Sequence, residues 1–351
     1  WFHKNGTYWK TISGNNGSVG NTGDPSAGSD ELATIDNVPA EDLFVVIGGN
    51  SSASAIFVNF GQDSTNVASA NSDSEGIGTF EYAVPTDYLC LCSSNMSDIT
   101  IGPGQATQAD DNFNTVIYTG DSDNDVTVTN TFASDWVWIK SRSRGDHHFL
   151  QDIVRGFGAS KSLSSSSTGT EGYNGGAPSS QNIVTTDSSL RVVGTDFATN
   201  SATYVAWNWK AGGSASNNTD GSITSSVSVN STAKFSIGTY TGNGTVGATV
   251  GHGLGVAPNF LIIKNRSAAQ SWPVKVVPPF AGGTRVQLDS TSGPTTESSG
   301  SGSLYNATNP SDSVITLGDQ AMTNTNTNNY VFYAFANVEG YCKSGTYEGN
   351  S

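Results

Sequence analysis

At 351 residues the chain is long enough for two or three domains, and 41 of those residues are Gly. Thirty acidic against 15 basic side chains give a net charge of −15, which repels DNA, RNA and anionic lipid and suits neutral glycans or cations. Three cysteines exclude a disulfide framework, no run of about 18 apolar residues is present to insert into a membrane, and 10% aromatic residues is too many for a disordered chain.

The opening Trp1-Phe2-His3 lacks Met, and the closing Tyr347-Glu348-Gly349-Asn350 reads as the start of another unit; both are expected of a piece of a longer polypeptide. Short runs of Val, Ile, Thr and aromatics, punctuated by Gly, Asn, Ser and Asp, predict an all-β fold of tandem β-sandwich domains, lectin-like or jelly-roll-like. Residues 1–110 form the first predicted domain. It holds the runs Ala55-Ile56-Phe57-Val58-Asn59-Phe60-Gly61-Gln62 and Gly78-Thr79-Phe80-Glu81-Tyr82-Ala83-Val84-Pro85, then the strand-like Asp87-Tyr88-Leu89-Cys90-Leu91-Cys92. Cys90 and Cys92 fall on one face of that strand and read as two small buried hydrophobes rather than a metal or redox pair.

From residue 111 the chain repeats itself. Phe113–Gly120 matches Phe235–Gly242, and Trp138-Ile139-Lys140-Ser141-Arg142 matches Ile262-Ile263-Lys264-Asn265-Arg266. Farther on, Tyr204-Val205-Ala206-Trp207 matches Tyr330-Val331-Phe332-Tyr333. Blocks in one order, offset by 122 at Tyr118/Tyr240, 124 at Arg142/Arg266 and 126 at Tyr204/Tyr330, indicate duplicated domains with small loop insertions. The predicted modules are 111–213 and 234–340, joined by a Gly/Ser/Asn-rich linker over 214–233 whose run Ser222–Val229 could add a strand, with 341–351 starting a further repeat or a terminal strand. Phe235, Ile237 and Thr239 share one strand face, with Ser236, Gly238 and Tyr240 on the other. The runs Trp136–Ile139 and Leu261–Ile263 suit strands covered on both faces.

Few residues carry chemistry. Asp121, Asp123 and Asp125 alternate in a turn and could offer hard oxygens to calcium; the bland reading is a solvated acidic hairpin loop. Gly251-His252-Gly253-Leu254-Gly255 resembles a phosphate loop, but a strand rather than a helix follows, so His252 is expected in a turn with a structural hydrogen bond or, failing that, at a ligand. Trp272, beside a Pro-rich loop, is the best candidate for stacking on a sugar, against the alternative of a core or interface Trp. Arg144-Gly145-Asp146 and the adjacent His147-His148 read as a polar loop. No strained nucleophile elbow, metalloprotease helix or Walker loop occurs, and nothing singles out a carboxylate pair among the 30 acids, so no enzyme is expected.

The order in the first domain, a strand ending Asn59-Phe60-Gly61-Gln62, an aromatic pair, a Pro turn and an apolar strand, resembles the C-terminal half of a SPRY domain, a lectin-like sandwich. With Phe113-Asn114-Thr115-Val116, Trp138-Ile139-Lys140, Tyr204-Val205-Ala206-Trp207, Thr249–Gly255 and Val338-Glu339-Gly340-Tyr341, the chain resembles tail-fibre-like proteins of marine bacteriophages. It departs from them at Phe132-Ala133-Ser134-Asp135, where the first repeat lacks the Gly-His-Gly-Leu-Gly segment. The resemblance implies a virion appendage outside the cell, with other virion proteins, further copies of the chain (a trimer first) and a host-surface glycan or receptor as partners. Nucleic acid and membrane insertion are not implied. A bacterial adhesin or surface-filament subunit is the alternative, and a polysaccharide depolymerase, which would show a β-helix, a more distant one.

Overall fold

The computed structural model describes residues 2–4, 7–9, 70–80, 83–84, 89–90, 101–102, 105–172, 182–280 and 282–347. The chain divides into two compact units, Trp1–Asp98 and Ile99–Ser351. It is mostly β: among the described residues the one α-helix is α1 (Thr195–Ala198), and every strand pairing is antiparallel.

In the first unit β1 (Phe2–Lys4) pairs with β2 (Thr7–Trp9). Farther on, the buried Asp73 accepts the backbone N–H groups of Glu75, Ile77 and Cys90, which ties a turn to Cys90. Cys90 is buried, as a small hydrophobe would be. Cys92 and the Asn59-Phe60-Gly61-Gln62 run lie outside the described residues.

The second unit is built on two large sheets. The first has the order β3 (Phe113–Thr119), β10 (Thr203–Trp209), β5 (Trp136–Ser141), β6 (Phe149–Asp152), β7 (Leu163–Ser164). One of its faces packs on a three-stranded sheet of β4 (Asp125–Thr129), β9 (Ser189–Val193) and β8 (Asn182–Thr185), burying Val116, Tyr118, Val137, Ile139, Leu190 and Val192 between them. The second large sheet runs β11 (Ser216–Asn218), β12 (Ser225–Asn230), β13 (Phe235–Thr241), β20 (Asn329–Phe335), β15 (Phe260–Asn265), β16 (Pro273–Val276), β17 (Thr284–Gln287), β18 (Thr295–Thr296). It encloses a core with the pair β14 (Thr249–Gly251) and β19 (Val314–Thr316), built of Tyr240, Val250, Leu261, Ile263, Ile315 and Phe332 among others.

The other faces of the two large sheets meet in a third apolar layer, formed by Trp136, Leu150 and Leu163 from one and Phe235, Ile237, Ile262, Val331 and Tyr333 from the other. This explains the uninterrupted apolar runs. Leu261 and Ile263 point into one core while Ile262 points into the interface; Val137 and Ile139 alternate with Trp136 and Trp138 in the same way. Trp136 stacks on Tyr333, ring centroids 4.3 Å apart, and on Trp209 at 4.2 Å.

Matched residues occupy matched places in the two sheets. Tyr118 pairs with Tyr204 and Tyr240 with Tyr330; each pair stacks at 12°, with centroids 5.2 and 5.0 Å apart. Tyr118 donates its hydroxyl to the Phe197 carbonyl at 2.7 Å and Tyr240 to that of Thr323 at 2.6 Å. The N–H of Arg142 reaches the Thr203 carbonyl at 2.7 Å, and that of Arg266 the Asn329 carbonyl at 2.8 Å.

Composition marks 214–233 as a linker with room for an added strand at Ser222–Val229; the segment carries β12 there and also β11, and both extend the second sheet. Hydroxyl- and Gly-rich sequence serves an edge as readily as a tether, because small side chains allow backbones to approach. A Cβ on Gly212 would lie 2.4 Å from the Val229 carbonyl oxygen. At the far end, residues 341–347 form no strand, and Tyr347 is 93% exposed.

Candidate functional site

The residues singled out in the sequence do not converge. Trp272 is fully buried in the layer between the sheets. Its indole N–H is shared between the Ser164 and Ser167 carbonyls, each at 3.0 Å, and the Lys264 ammonium stands 5.3 Å from the ring centroid. It therefore has no free face for a sugar; it locks the second sheet to the β7 loop of the first. The alternative of an interface Trp is the one this geometry fits.

His252 is also fully buried. Its Nε2 faces the Ser311 carbonyl at 3.2 Å and its Nδ1 accepts the Leu254 N–H at 3.2 Å, which identifies the neutral Nε2–H tautomer. Burial holds its pKa below the usual histidine value. Gly253 and Gly255, with φ of +74° and +69°, turn the chain around it.

Two of the three aspartates, Asp121 and Asp125, have their carboxylates committed at the hairpin between β3 and β4. Asp121 caps the turn by accepting the N–H groups of Asp123 and Asp125 at 3.1 and 3.0 Å. Asp125 forms a two-pronged pair with Arg191 on β9, whose hydrogen bond and charge hold its carboxyl below the usual range. Among the described residues no group of three or more His, Cys, Asp or Glu is placed to hold a metal. Arg144 folds back on Asp146 at 2.7 Å, and His147 Nδ1 lies 3.1 Å from the Ser166 hydroxyl, so that loop is internally satisfied.

A concave site lies instead where the two large sheets join. A cleft of about 400 Å³ is lined by Thr107, Asp111, Asn112, Lys210, Asn230 and Thr232, with Ala211, Val229 and Ser231. Its walls are fixed by backbone and amide bonds. Asn230 donates to the Asn112 side-chain oxygen at 2.8 Å and to the Lys210 carbonyl at 3.0 Å. The Asn230 oxygen in turn accepts the N–H groups of Thr232 and Ala233 at 3.1 and 2.9 Å. Below the cleft the buried Asp135 carboxylate accepts Ala211 N–H at 2.7 Å and Gly213 N–H at 3.1 Å. Burial raises the Asp135 pKa and those two donors draw it partly back.

Against this rigid frame the hydroxyls of Thr107, Ser231 and Thr232 and the ammonium of Lys210 make no hydrogen bond within the described residues. Hydroxyls, amides, one ammonium and the Asp111 carboxylate, which accepts the Gln108 N–H at 2.7 Å, line a wet concave surface and can exchange hydrogen bonds with a polyol. Sequence reasoning missed this cleft because its residues come from three separated stretches of common polar types. The Asx turn at Asn230-Ser231-Thr232 was its one local signal.

No curated protein and no solved structure matches the chain. Residues 108–351 match the model of a domain of unknown function, DUF7483, over more than half of the sequence, and the chain belongs to that family.

Proposed function

We propose that the chain is a non-enzymatic, structural virion appendage, a tail fibre or receptor-binding protein, that presents tandem β-sandwich modules to a glycan of the host surface. The virion assignment rests on the sequence resemblance to phage tail-fibre-like proteins. The tandem reading is supported by the equivalent tyrosine pairs and by the matched Arg142 and Arg266 turns. The observation that carries the glycan reading is the cleft at the junction, whose uncommitted hydroxyls and single ammonium stand on a frame held by Asn112, Asn230 and Asp135. In this reading two modules packed as one body give a stiff display unit, and further copies of the chain multiply weak contacts by raising local concentration.

The test is to pass the purified chain over immobilised host envelope polysaccharide. Retention without new reducing ends is expected. Changing Lys210 and Thr232 together to Ala should weaken retention by about tenfold, on the order of one or two lost hydrogen bonds. Release of reducing ends, abolished by changing one Asp or Glu, would overturn the reading in favour of a depolymerase. Neither retention nor cleavage would leave an architectural role alone.

A further inference from the structure

Among the described residues four strands run to seven residues, β3, β10, β13 and β20. β10 lies between β3 and β5, and β20 between β13 and β15. β13 is paired on its outer side by β12, with Asn230, Ser228 and Ser226 opposite Phe235, Ile237 and Thr239. β3 is the exception: it ends its sheet, and no described strand covers it. The segment just before it does not fold back as β12 does, but forms a 3₁₀ turn at Ala109–Asp111.

The polarity of this edge follows from the ladder. Asn112 accepts the Lys210 N–H and Gly120 donates to the Ala202 carbonyl, so the even-numbered positions face β10. The N–H and C=O groups of Phe113, Thr115, Ile117 and Thr119 therefore point to the open side, and no hydrogen bond is recorded for them among the described residues. Phe235, Ile237 and Thr239, their counterparts in β13, are the residues paired by β12. The edge also lacks the features that blunt pairing: no Pro, no charge and no glycine interrupt Phe113–Thr119, and Ile117 is 62% exposed.

We infer that β3 pairs antiparallel with β3 of a second copy of this chain, joining two five-stranded sheets across a two-fold axis. A second copy fits because the strand is self-complementary. In the full seven-residue overlap Thr115 stands opposite Ile117 of the second copy, Phe113 opposite its Thr119, and Val116 opposite its own counterpart. All four hydrogen-bonding positions then meet hydrogen-bonding positions. In a chain of net charge −15, an uncharged strand is also where two copies repel least. At each end Asp111 comes near Asp121 of the second copy, so pairing tightens as salt rises.

This inference rests on the self-assembling part of the proposed function and identifies its contact. It is tested with the full chain by analytical ultracentrifugation and by hydrogen exchange at several concentrations. A dimer is expected, with slow exchange at Thr115, Ile117 and Thr119 appearing only as the dimer forms. Ile117→Lys, at an exposed side chain, should keep the circular dichroism spectrum and weaken the dimer at least about tenfold, and Ile117→Val should not. Oligomers that Ile117→Lys leaves unchanged, a trimer included, would overturn the β3 contact and spare self-assembly. Slow exchange of these amides in the monomer would show the edge covered within one chain and overturn the contact too. A monomer at every concentration would overturn both.

Discussion

Gly238 stands opposite Phe332 in the ladder, and a Cβ there would lie 2.1 Å from the phenyl ring. The matched pair in the other sheet is Val116 opposite Ala206, so the bulk has passed from one strand to its neighbour. Gly238→Val should therefore destabilise the protein by about 2 kcal/mol through overpacking. Phe332→Ala should cost about 3 kcal/mol or more through its cavity. The double variant should lose less than the two together, because it recreates the Val–Ala pairing; urea midpoints of the four proteins measure that coupling. A second residue-scale effect comes from Lys264 and Lys275, both pushed down by burial to about 8 from 10.5. Between about pH 8 and 10.5 the unfolded chain retains protons that the folded chain has released, so stability rises with pH across that window. Above it the buried Tyr240 and Tyr333, whose pKa values burial raises, reverse the slope. Urea midpoints from pH 7 to 11 should pass through a maximum, and Lys264→Met with Lys275→Met should flatten the rise.

At the scale of elements, the loop after β6 ties the two large sheets together. Buried Arg155 pairs with Asp152 at 2.6 Å and Glu171 at 3.0 Å, while Glu171 also holds Arg266 beyond β15 at 2.7 Å. Tyr333 on β20 donates its hydroxyl to Asp152 at 2.7 Å. Burial opposes the Arg155 charge, but Asp152, Tyr333 and Glu171 around it raise its pKa above the usual arginine value. Arg155→Met would leave the buried Asp152 without its counter-charge, while Glu171 keeps Arg266, and should cost about 3–5 kcal/mol in chemical denaturation. This junction was not legible in the sequence, because Asp152, Glu171, Arg266 and Tyr333 are far apart in the chain and each type is common on surfaces. The strands themselves were legible. Alternation placed Phe235 and Ile237 opposite to Tyr240, and the runs at Trp136 and Leu261 announced burial on both faces. What periodicity could not show is what covers the second face. Trp272 stays open between sugar platform and core or interface Trp for that reason: an aromatic beside a Pro-rich loop looks alike whether solvent or another sheet lies above it. The 214–233 segment was legible in part: its Ser222–Val229 run announced the strand β12, whereas β11 was hidden because hydroxyl-rich edge strands and tethers share a composition.

At the scale of the molecule, the layer containing Trp136, Trp272 and Tyr333 and the Asp135 clamp on Ala211 and Gly213 leave no hinge between the two large sheets. Residues 99–351 should accordingly unfold in one calorimetric transition, with calorimetric and van't Hoff enthalpies agreeing, rather than in two steps as tethered modules do. Asp135→Ala, which frees the crossing segment, should lower the melting temperature of that transition by several degrees.

The placement of the indoles has an optical consequence. Of the seven tryptophans, Trp136, Trp138, Trp209 and Trp272 belong to the layer between the sheets, and Trp207 touches Trp138 edge-on with centroids 6.1 Å apart. Intrinsic fluorescence is thus a strain gauge for that one seam. A partner, a pulling force or a denaturant that parts the sheets would shift the emission to the red while far-ultraviolet dichroism still recorded intact strands.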